Sequence, residues 1–459
     1  MTESAAIGEP RPRGLLEGWF PISPAAAFRR RTTLLAAVAV VIGTFAQVVR
    51  LPGDTAYNTI WAEDASVFLN QALNRGILPA FTIPYSGYLH VVPRTFAAIA
   101  AVLPLAWAAS IFGVGSALLV SLLGVFLYRA TEGLILSRPL RLVLCAMFVA
   151  IPVVGFETEA NAANLHFYLD FVAVWALLWR PQGRMANVVS AAVCFLAAGS
   201  DAIALFLLPI AIARLVATRF RRGSLPAYGL IGGLLIQIPV ILTSHETHWA
   251  PNIPLDFAAV FGARVALPFL VGGVLSDRLW ADVGWAAPAL AGAMLCAGVV
   301  WLALTRRIRP TAWVALIFVG GSIVFAGLPI IGRFQNVMLP HGVALLGIPA
   351  RYWGAPLLML WSAVAIVVTS RGVRTWLGAQ HHRVLVWATV VWLTSIVAAD
   401  FVVVSGNTFR DDGLRWSEQL AAAATTCHVE RVSHVAFSVL FRKYIIVVPC
   451  DRITSAVPS

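Results

Sequence analysis

Residues 29–49 read RRRTTLLAAVAVVIGTFAQVV, three arginines followed by an apolar run without a charge. A helix of about 20 apolar residues spans the hydrocarbon core of a bilayer, and basic residues that flank such a run favour the cytoplasm. A secretory signal peptide has a shorter apolar core and a small-residue cleavage site, which this run does not show. The stretch therefore predicts an uncleaved first transmembrane helix with a cytoplasmic N-terminal side.

Composition extends this prediction to the whole chain. Of its 459 residues, 59% are hydrophobic and 12% are charged, whereas ordinary soluble domains carry about a quarter charged residues. The net charge of +12 does not indicate nucleic acid, because the basic residues lie in small groups between apolar segments. Such groups are the usual topology signals of membrane proteins. We expect an all-α polytopic membrane protein with membrane lipid, and no nucleic acid, as its partner.

Hydropathy divides the chain into a cytoplasmic N-terminal tail (1–31), a transmembrane domain (32–402) and a small extracytoplasmic tail (403–459). Long outer loops are predicted at 51–93, 244–282 and 331–352. About eleven transmembrane helices are predicted, at 32–50, 105–128, 142–156, 166–179, 185–199, 202–217, 224–243, 283–304, 311–330, 353–370 and 384–402.

The distribution of charge supports this layout independently. The segments assigned to the cytoplasm hold 20 of the 33 basic residues, while 17 of the 21 acidic residues fall outside or near the outer ends of spans. Short inner loops of membrane proteins are enriched in basic residues. The arginine-rich, alanine-rich composition is typical of a high-GC bacterium, so we expect a multi-pass protein of the bacterial inner (plasma) membrane.

Two apolar segments allow more than one interpretation. The spans 185–199 and 202–217 are separated by Gly199, Ser200 and Asp201, which favour a turn, so they are either two short or tilted helices or one re-entrant hairpin. The run from Phe257 to Leu275 is interrupted by Arg264 and Pro268. It predicts an interfacial or re-entrant helix within an outer loop.

The tail 403–459 is predicted to be a small α/β unit. Residues 412–426 have helical character, and 434–441 and 444–448 are rich in residues that favour strands. A unit of this size needs outside support, so we expect it to pack on the outer loops. Cys427 and Cys450 both lie in it and are expected to form a disulfide in an oxidising compartment.

Two adjacent carboxylates, Glu63 and Asp64, follow Trp61 and Ala62 in the first outer loop. One carboxylate of such a pair can accept a proton from an acceptor hydroxyl while the other orients it. The alternative is structural: Asp64 is a good helix N-cap, and Glu63 is then a solvated neighbour.

Further candidates lie at predicted outer ends of spans. Arginine matches phosphate oxygens bidentately, but an interfacial arginine can also anchor lipid headgroups. An ionisable residue inside a span is by default a functional candidate, although it can also hold helices together. The candidates are Tyr88 and Arg94 in the first loop, Glu159, Asn164, His166 and Asp170 at the fourth span, the turn residue Asp201, His245 and His248 with weak metal-site character, and Arg264, Arg333, Arg351 and Tyr352.

An acidic pair in a long first outer loop, about eleven spans, and an N-in, C-out arrangement resemble the GT-C superfamily of membrane glycosyltransferases. The stretch Trp61-Ala62-Glu63-Asp64, with Gly87-Tyr88 and Pro93-Arg94 after it, looks like a subgroup of bacterial members, and Arg351-Tyr352 is similar to a boundary motif in many of them. The chain departs from the superfamily in its small tail and in lacking a second acidic motif as clear as the first.

The resemblance implies transfer of a sugar from a polyprenyl-phosphate-linked donor to a glycan, lipid or protein acceptor on the outer face of the membrane. Asp64 would then be the base, with Glu63 assisting it or binding a divalent metal. The implied phosphate-binding residues are Arg94, Arg264 or Arg351, and the implied residues for sugar or acceptor hydroxyls are Glu159, Asn164 and His166.

Three alternatives remain open at this point. A transporter or flippase of lipid-linked saccharides would need intramembrane polar residues such as Asp170 and Asp201, but it often shows two matching halves, which this sequence lacks. A polysaccharide polymerase or ligase would place its key residues in a late outer loop. A non-catalytic membrane scaffold would need none of these residues.

Overall fold

The computed structural model describes residues 20, 22–23, 30–51, 53–151, 155–243, 257, 260–284, 286–304, 312–337, 350–404, 410, 413–440 and 443–454. Helices dominate this part of the chain. The α-helices are Arg30–Arg50, Thr55–Asn58, Asn70–Arg75, Ile77–Ala80, Val91–Val102, Ala108–Ala130, Arg138–Val149, Gly155–Thr158, Leu165–Leu178, Arg184–Ser200, Leu208–Thr218, Leu225–Thr243, Leu267–Val271, Gly273–Val283, Ala286–Leu304, Ala312–Val337, Gly354–Thr369, Arg371–Val404, Trp416–Glu430 and Cys450–Thr454.

Tighter and wider helical turns connect several of these helices. The π-helical turns are Asp64–Leu69 and Gly262–Ala266, and the 3₁₀ turns are Leu105–Trp107, Ala202–Leu207, Arg222–Ser224 and Ala350–Trp353. Strands Ile22–Ser23 and Arg180–Pro181 pair in parallel, and strands His434–Ser438 and Ile445–Pro449 pair antiparallel.

Six helical segments of the described chain are long and apolar enough to cross a bilayer: Arg31–Arg50, Leu105–Ala130, Arg222–Thr243, Ala312–Pro329, Ala350–Thr369 and Arg371–Val402. Four further predicted spans correspond to apolar helices of 10–17 residues. The predicted span 142–156 corresponds to Arg138–Val149, whose 12 residues cover only about 18 Å at 1.5 Å per residue. A multi-pass membrane protein is therefore supported, and the count of eleven stays a prediction.

Two helices form the centre of the bundle. Every residue of Leu165–Leu178 is buried, and so is nearly all of Gly354–Thr369; the two helices pack against each other. A largely apolar helix is buried in protein or faces lipid, and the helices around these two cover nearly all of their surface. By contrast, Arg30–Arg50 exposes side chains such as Val41, which is 67% exposed, so its outer face is available to lipid.

A cap at Asp201 separates the two predicted helices within residues 185–217. Helix Arg184–Ser200 ends at Asp201, whose carboxylate accepts a hydrogen bond from the backbone N–H of Ile203 at 2.9 Å. A 3₁₀ turn and helix Leu208–Thr218 follow. The segment therefore contains separate helical pieces, and Asp201 has the predicted turn role.

Part of the apolar run 257–275 lies inside the bundle. Residues 260–269 are all buried, and helix Leu267–Val271 ends at Gly272 with φ of 82°. Burial on all sides contradicts an interfacial helix and agrees with the re-entrant alternative. Helix Gly273–Val283 then starts beside Asp400, whose carboxylate accepts from the backbone N–H groups of Gly273 and Val274.

Two elements were not anticipated from the sequence. Helix Val91–Val102 begins in the predicted outer loop 51–93 and covers residues that no predicted span included. It has only 12 residues, too few to stand out as a span. Strand Ile22–Ser23 joins the N-terminal tail to Arg180–Pro181, which places two segments predicted to be cytoplasmic side by side.

The C-terminal tail has the predicted composition of one helix and two strands. Helix Trp416–Glu430 packs on the hairpin, whose register pairs His434 with Pro449. The expected disulfide between Cys427 and Cys450 is present, with a Cα–Cα distance of 5.7 Å. The tail packs on the first outer loop, as expected.

Candidate functional site

The acidic pair lies at the start of the π-helical turn Asp64–Leu69. π-Helical turns are rare in proteins as a whole, and those that occur are often found at functional sites. Trp61 and Ala62 before the pair are buried, Glu63 is half-buried, and Asp64 is 0% exposed. The two neighbouring carboxyl groups therefore have different access to solvent.

Asp64 is tied to a distant part of the chain. Its Oδ2 accepts a hydrogen bond from the backbone N–H of Ala162 at 2.8 Å, which contradicts the alternative that Asp64 is an N-cap. Burial raises the pKa of Asp64 to about 8, while the N–H groups of Ala162 and Ala163 and the charge of Arg410 lower it. The carboxyl group is consequently neutral over much of the physiological pH range.

Glu157 joins the late segment that carries Arg351 to this region. Its Oε2 accepts from the backbone N–H of Arg351 at 2.8 Å, and its Oε1 pairs with the guanidinium of the same residue. Burial raises the pKa of Glu157, the contacts with Arg351 lower it, and Glu63 raises it further. Glu63 therefore lies within electrostatic range of this ion pair.

Tyr444 of the tail contacts the other side of Glu63. Its hydroxyl donates a hydrogen bond to the Glu63 carboxylate. Burial raises the pKa of the Tyr444 phenol, Glu63 raises it further, and Arg351 lowers it. Glu63, Arg351 and Tyr444, from three separate outer segments, therefore lie within electrostatic range of one another.

A second ion pair supports the segment that holds Asp64. Glu159 pairs with Arg50, and the guanidinium of Arg410 donates to the carbonyls of Glu159 and Ala160 at 3.0 and 2.8 Å. Burial raises the pKa of Glu159, whereas the charges of Arg50 and Arg410 lower it. Burial also lowers the pKa of Arg410, to about 10. Arg410 also lies over the Trp61 ring at 5.5 Å.

Arg50 and Arg410 were missed by sequence reasoning. One signal was present for Arg50, because it is a basic residue at the outer end of the first span, where the positive-inside rule disfavours it. A fully buried guanidinium needs polar partners, and the Glu159 carboxylate is a partner of Arg50. Arg410 carried no comparable signal.

Arg94 is committed to the first outer loop itself. It is 1% exposed, and its terminal nitrogens donate to Oε1 of Gln71 at 2.7 Å and to the carbonyl of Ile83. Its guanidinium also lies over the Phe68 ring at 5.3 Å. These contacts engage the guanidinium within the protein, and a role of Arg94 toward a donor phosphate stays a prediction.

Tyr88 and His166 belong to a separate polar and aromatic group. The Tyr88 ring stacks on His90 at 4.2 Å and contacts His166 edge-on at 6.2 Å. Nε2 of His166 is 3.5 Å from Oδ2 of Asp201, and Asp170 lies against the same carboxylate. The side chains of His166, Asp170 and Asp201 are almost fully buried. Little of His166 is therefore open to an acceptor, and its expected role in binding one stays a prediction.

Three of the remaining predicted site residues, Asn164, Tyr352 and Arg264, are packed within the fold. Asn164 donates to the carbonyl of Glu157 at 3.0 Å, and Tyr352 packs edge-on against Phe167 at 5.4 Å. Arg264 is 1% exposed in a turn that packs against Ala350–Trp353. His245, His248 and the side chain of Arg333 lie outside the described residues.

The described part of the chain contains no group of three or more His, Cys, Asp or Glu side chains arranged for a metal ion. Glu63 is a half-buried carboxylate, and Arg351, 24% exposed, is a cation within electrostatic range of it. The structure brings together Glu63, Asp64, Glu159, Asn164 and Arg351, and places Tyr88 and His166 in the second group.

Searches against protein-family models and against curated proteins found no match for this chain.

Proposed function

We propose that this chain is a membrane glycosyltransferase that moves a sugar from a polyprenyl-phosphate-linked donor to a glycan, lipid or protein hydroxyl on the outer face of the bacterial inner membrane. The observation that carries the proposal is the surroundings of Glu63, which is half-buried, lies within electrostatic range of the cation Arg351 and interacts with the Tyr444 hydroxyl. A base next to a phosphate-binding cation is what such a transfer requires.

In the proposed reaction, the acceptor oxygen attacks the anomeric carbon of the sugar. The bond between that carbon and the phosphate oxygen breaks, and its electron pair stays on the phosphate. The proton of the acceptor hydroxyl passes to Glu63, and Arg351 stabilises the negative charge of the departing phosphate. The sequence suggested Asp64 as the base. Because Asp64 is fully buried whereas Glu63 is half-buried, we assign the role of base to Glu63.

Asp64 then acts on Glu63 rather than on substrate. Because burial raises the pKa of Asp64 to about 8, Asp64 is largely protonated at neutral pH and adds little negative charge beside Glu63 and the donor phosphate. The hydrogen bond from Ala162 fixes the turn that presents Glu63.

A flippase of lipid-linked saccharides is the second candidate. Its support is the buried group of Asp170, Asp201 and His166 inside the bundle, because intramembrane ionisable residues often mark transport pathways. The partly exposed residues Glu63, Arg351 and Tyr444 lie together at the end of the bundle that carries the tail, which favours chemistry at that end.

The assay uses the full-length protein in nanodiscs with a panel of undecaprenyl-phosphate-linked hexoses and pentoses, and measures released undecaprenyl phosphate. We expect Glu63→Gln to lower the rate by about 100-fold or more, the usual contribution of a general base. The matched control is Glu132→Gln, whose carboxylate is 38% exposed beside Arg129 in a predicted inner loop, and it should retain the rate.

Two results would contradict the proposal. One is a correctly inserted Glu63→Gln protein that releases undecaprenyl phosphate at the wild-type rate. The other is a wild-type protein that consumes no donor of the panel but moves lipid-linked saccharide between the leaflets of a vesicle, which would favour the flippase.

A further inference from the structure

The chain contains a single lysine, Lys443, among 33 basic residues. It lies in the tail, between the two strands of the hairpin, and its side chain is exposed. Its ammonium group is 5.3 Å from the centre of the Tyr444 ring. The one lysine of the protein is therefore next to the tyrosine that contacts Glu63.

The tail holds this pair of residues at a fixed place on the first outer loop. The backbone N–H of Val447 donates to Oδ1 of Asn70 at 3.0 Å, and Nδ2 of Asn74 donates to the Val447 carbonyl at 2.7 Å. The disulfide from Cys450 to Cys427 ties the end of the same strand to the tail helix. Lys443 is thus positioned by a clamped strand.

Among the described residues, three nearby arginines are already engaged. Arg50 is paired with Glu159, and Arg410 donates to backbone carbonyls in the interior. Arg351 keeps partial exposure but neutralises Glu157, so it offers less than a full charge to a second anion. Lys443 brings an exposed ammonium group whose close contact in the described part of the chain is the Tyr444 ring.

We propose that Lys443 binds the phosphate group of a membrane-embedded lipid, together with Arg351, at the end of the bundle beside Glu63. This inference rests on the proposed function, because it assigns the phosphate of the donor to one place in the site. Ammonium and guanidinium groups form short charge-assisted hydrogen bonds with phosphate oxygens. The tail therefore completes the site instead of merely covering it.

The single lysine permits a direct binding test. An amine-selective acetylating reagent is applied to the full-length protein in phosphatidylcholine nanodiscs, and modification of Lys443 is followed by mass spectrometry. The protein carries Arg371→Lys as an internal reference, because Arg371 is an exposed residue in a predicted inner loop. We expect undecaprenyl phosphate in the disc to slow acetylation of Lys443 by about tenfold, the effect of an added interaction of ordinary charge-assisted strength, and to leave the reference lysine unchanged.

Further arms identify the source of the phosphate. Equal slowing by phosphatidylglycerol would show general headgroup anchoring and would overturn the proposal. Equal slowing by inorganic phosphate alone would overturn the assignment to a lipid. An unchanged rate with undecaprenyl phosphate would overturn it as well.

Kinetics with the donor provide the second readout. Lys443→Gln should raise KM for the donor by about tenfold with little change in kcat, and Lys443→Arg should keep KM near the wild-type value, since it retains the charge. An unchanged KM in Lys443→Gln would contradict the proposal. Protection of Lys443 by undecaprenyl phosphate without sugar transfer from any donor would support this binding site and contradict the glycosyltransferase function.

Discussion

Two adjacent carboxyl groups in this chain have opposite surroundings. Glu63 is half-buried and contacts Tyr444, whereas Asp64 is completely buried and accepts from Ala162. Burial raises the pKa of Asp64 to about 8. The proposed division of roles, with Glu63 as base and Asp64 as positioning residue, rests on this difference in burial.

Asp64 should make the protein less stable as the pH rises. Its pKa is near 3.8 in the unfolded chain and about 8 in the fold, so between these values the folded state binds the extra proton. Stability then falls with increasing pH, by at most about 1.4 kcal/mol for each pH unit. The side chain of Asp64→Asn is neutral throughout, so this variant should lose the dependence. Its free energy of unfolding should rise relative to that of the wild type between pH 4 and pH 8.

The comparison uses thermal unfolding in detergent from pH 5 to pH 9, followed by tryptophan fluorescence. Asp54→Asn is the control in the same loop, because the Asp54 carboxylate is 33% exposed and pairs with Arg415. Its profile should keep the slope of the wild type. Parallel profiles of wild type and Asp64→Asn would show that the buried carboxyl group is not protonated in the fold.

At the scale of elements, one glycine sets how closely two helices approach. A Cβ placed on Gly229 of helix Leu225–Thr243 would collide with the carbonyl oxygen of Ala191 in helix Arg184–Ser200. Small residues allow this close approach between membrane helices. Gly229→Ala should therefore destabilise the protein by about 1–3 kcal/mol, the usual cost of overpacking.

Gly298→Ala is the matched control for this prediction. Gly298 lies in helix Ala286–Leu304, and a Cβ added there would meet no atom of another residue in the described chain within 4 Å. Alanine at this position should be neutral or stabilising by up to about 1 kcal/mol. The free energy of unfolding is measured by titration with SDS in mixed micelles. Equal effects of the two substitutions would refute the role of helix contact at Gly229.

Helices were easier to predict from this sequence than their partners. Long apolar runs such as Thr32–Val49 indicate a helix because lipid and backbone hydrogen bonding permit little else, and the structure has Arg30–Arg50 there. Val91–Val102 escaped notice because a short apolar helix has no such constraint. The hairpin and disulfide of the tail followed from strand-forming residues and from cysteine placement.

At the scale of the whole molecule, the candidate site was only partly predictable. Charge and hydropathy placed Glu63, Glu159 and Arg351 in outer segments, and these segments do meet in the fold. The pairing of Arg50 with Glu159 spans 109 residues of sequence, and no local pattern encodes such a contact. Burial of Asp64 and Arg94 was equally hidden, because it depends on segments that pack from elsewhere in the chain.

Orientation in the membrane is the remaining global prediction. Segments predicted to be inner, such as the strand at Arg180, lie together with the N-terminal tail, and a disulfide forms in the tail, which is predicted to lie outside. Basic inner loops and an oxidising outer compartment both favour a cytoplasmic N-terminus and an extracytoplasmic tail. Alkaline phosphatase, which is active only outside the cytoplasm, should be active when fused after Ser459 and inactive when inserted after Gln182. A fluorescent protein that matures only in the cytoplasm should give the reverse pattern at the same two positions. Active phosphatase at Gln182 together with inactive phosphatase at Ser459 would invert the topology and remove Glu63 from the face where lipid-linked sugars are expected.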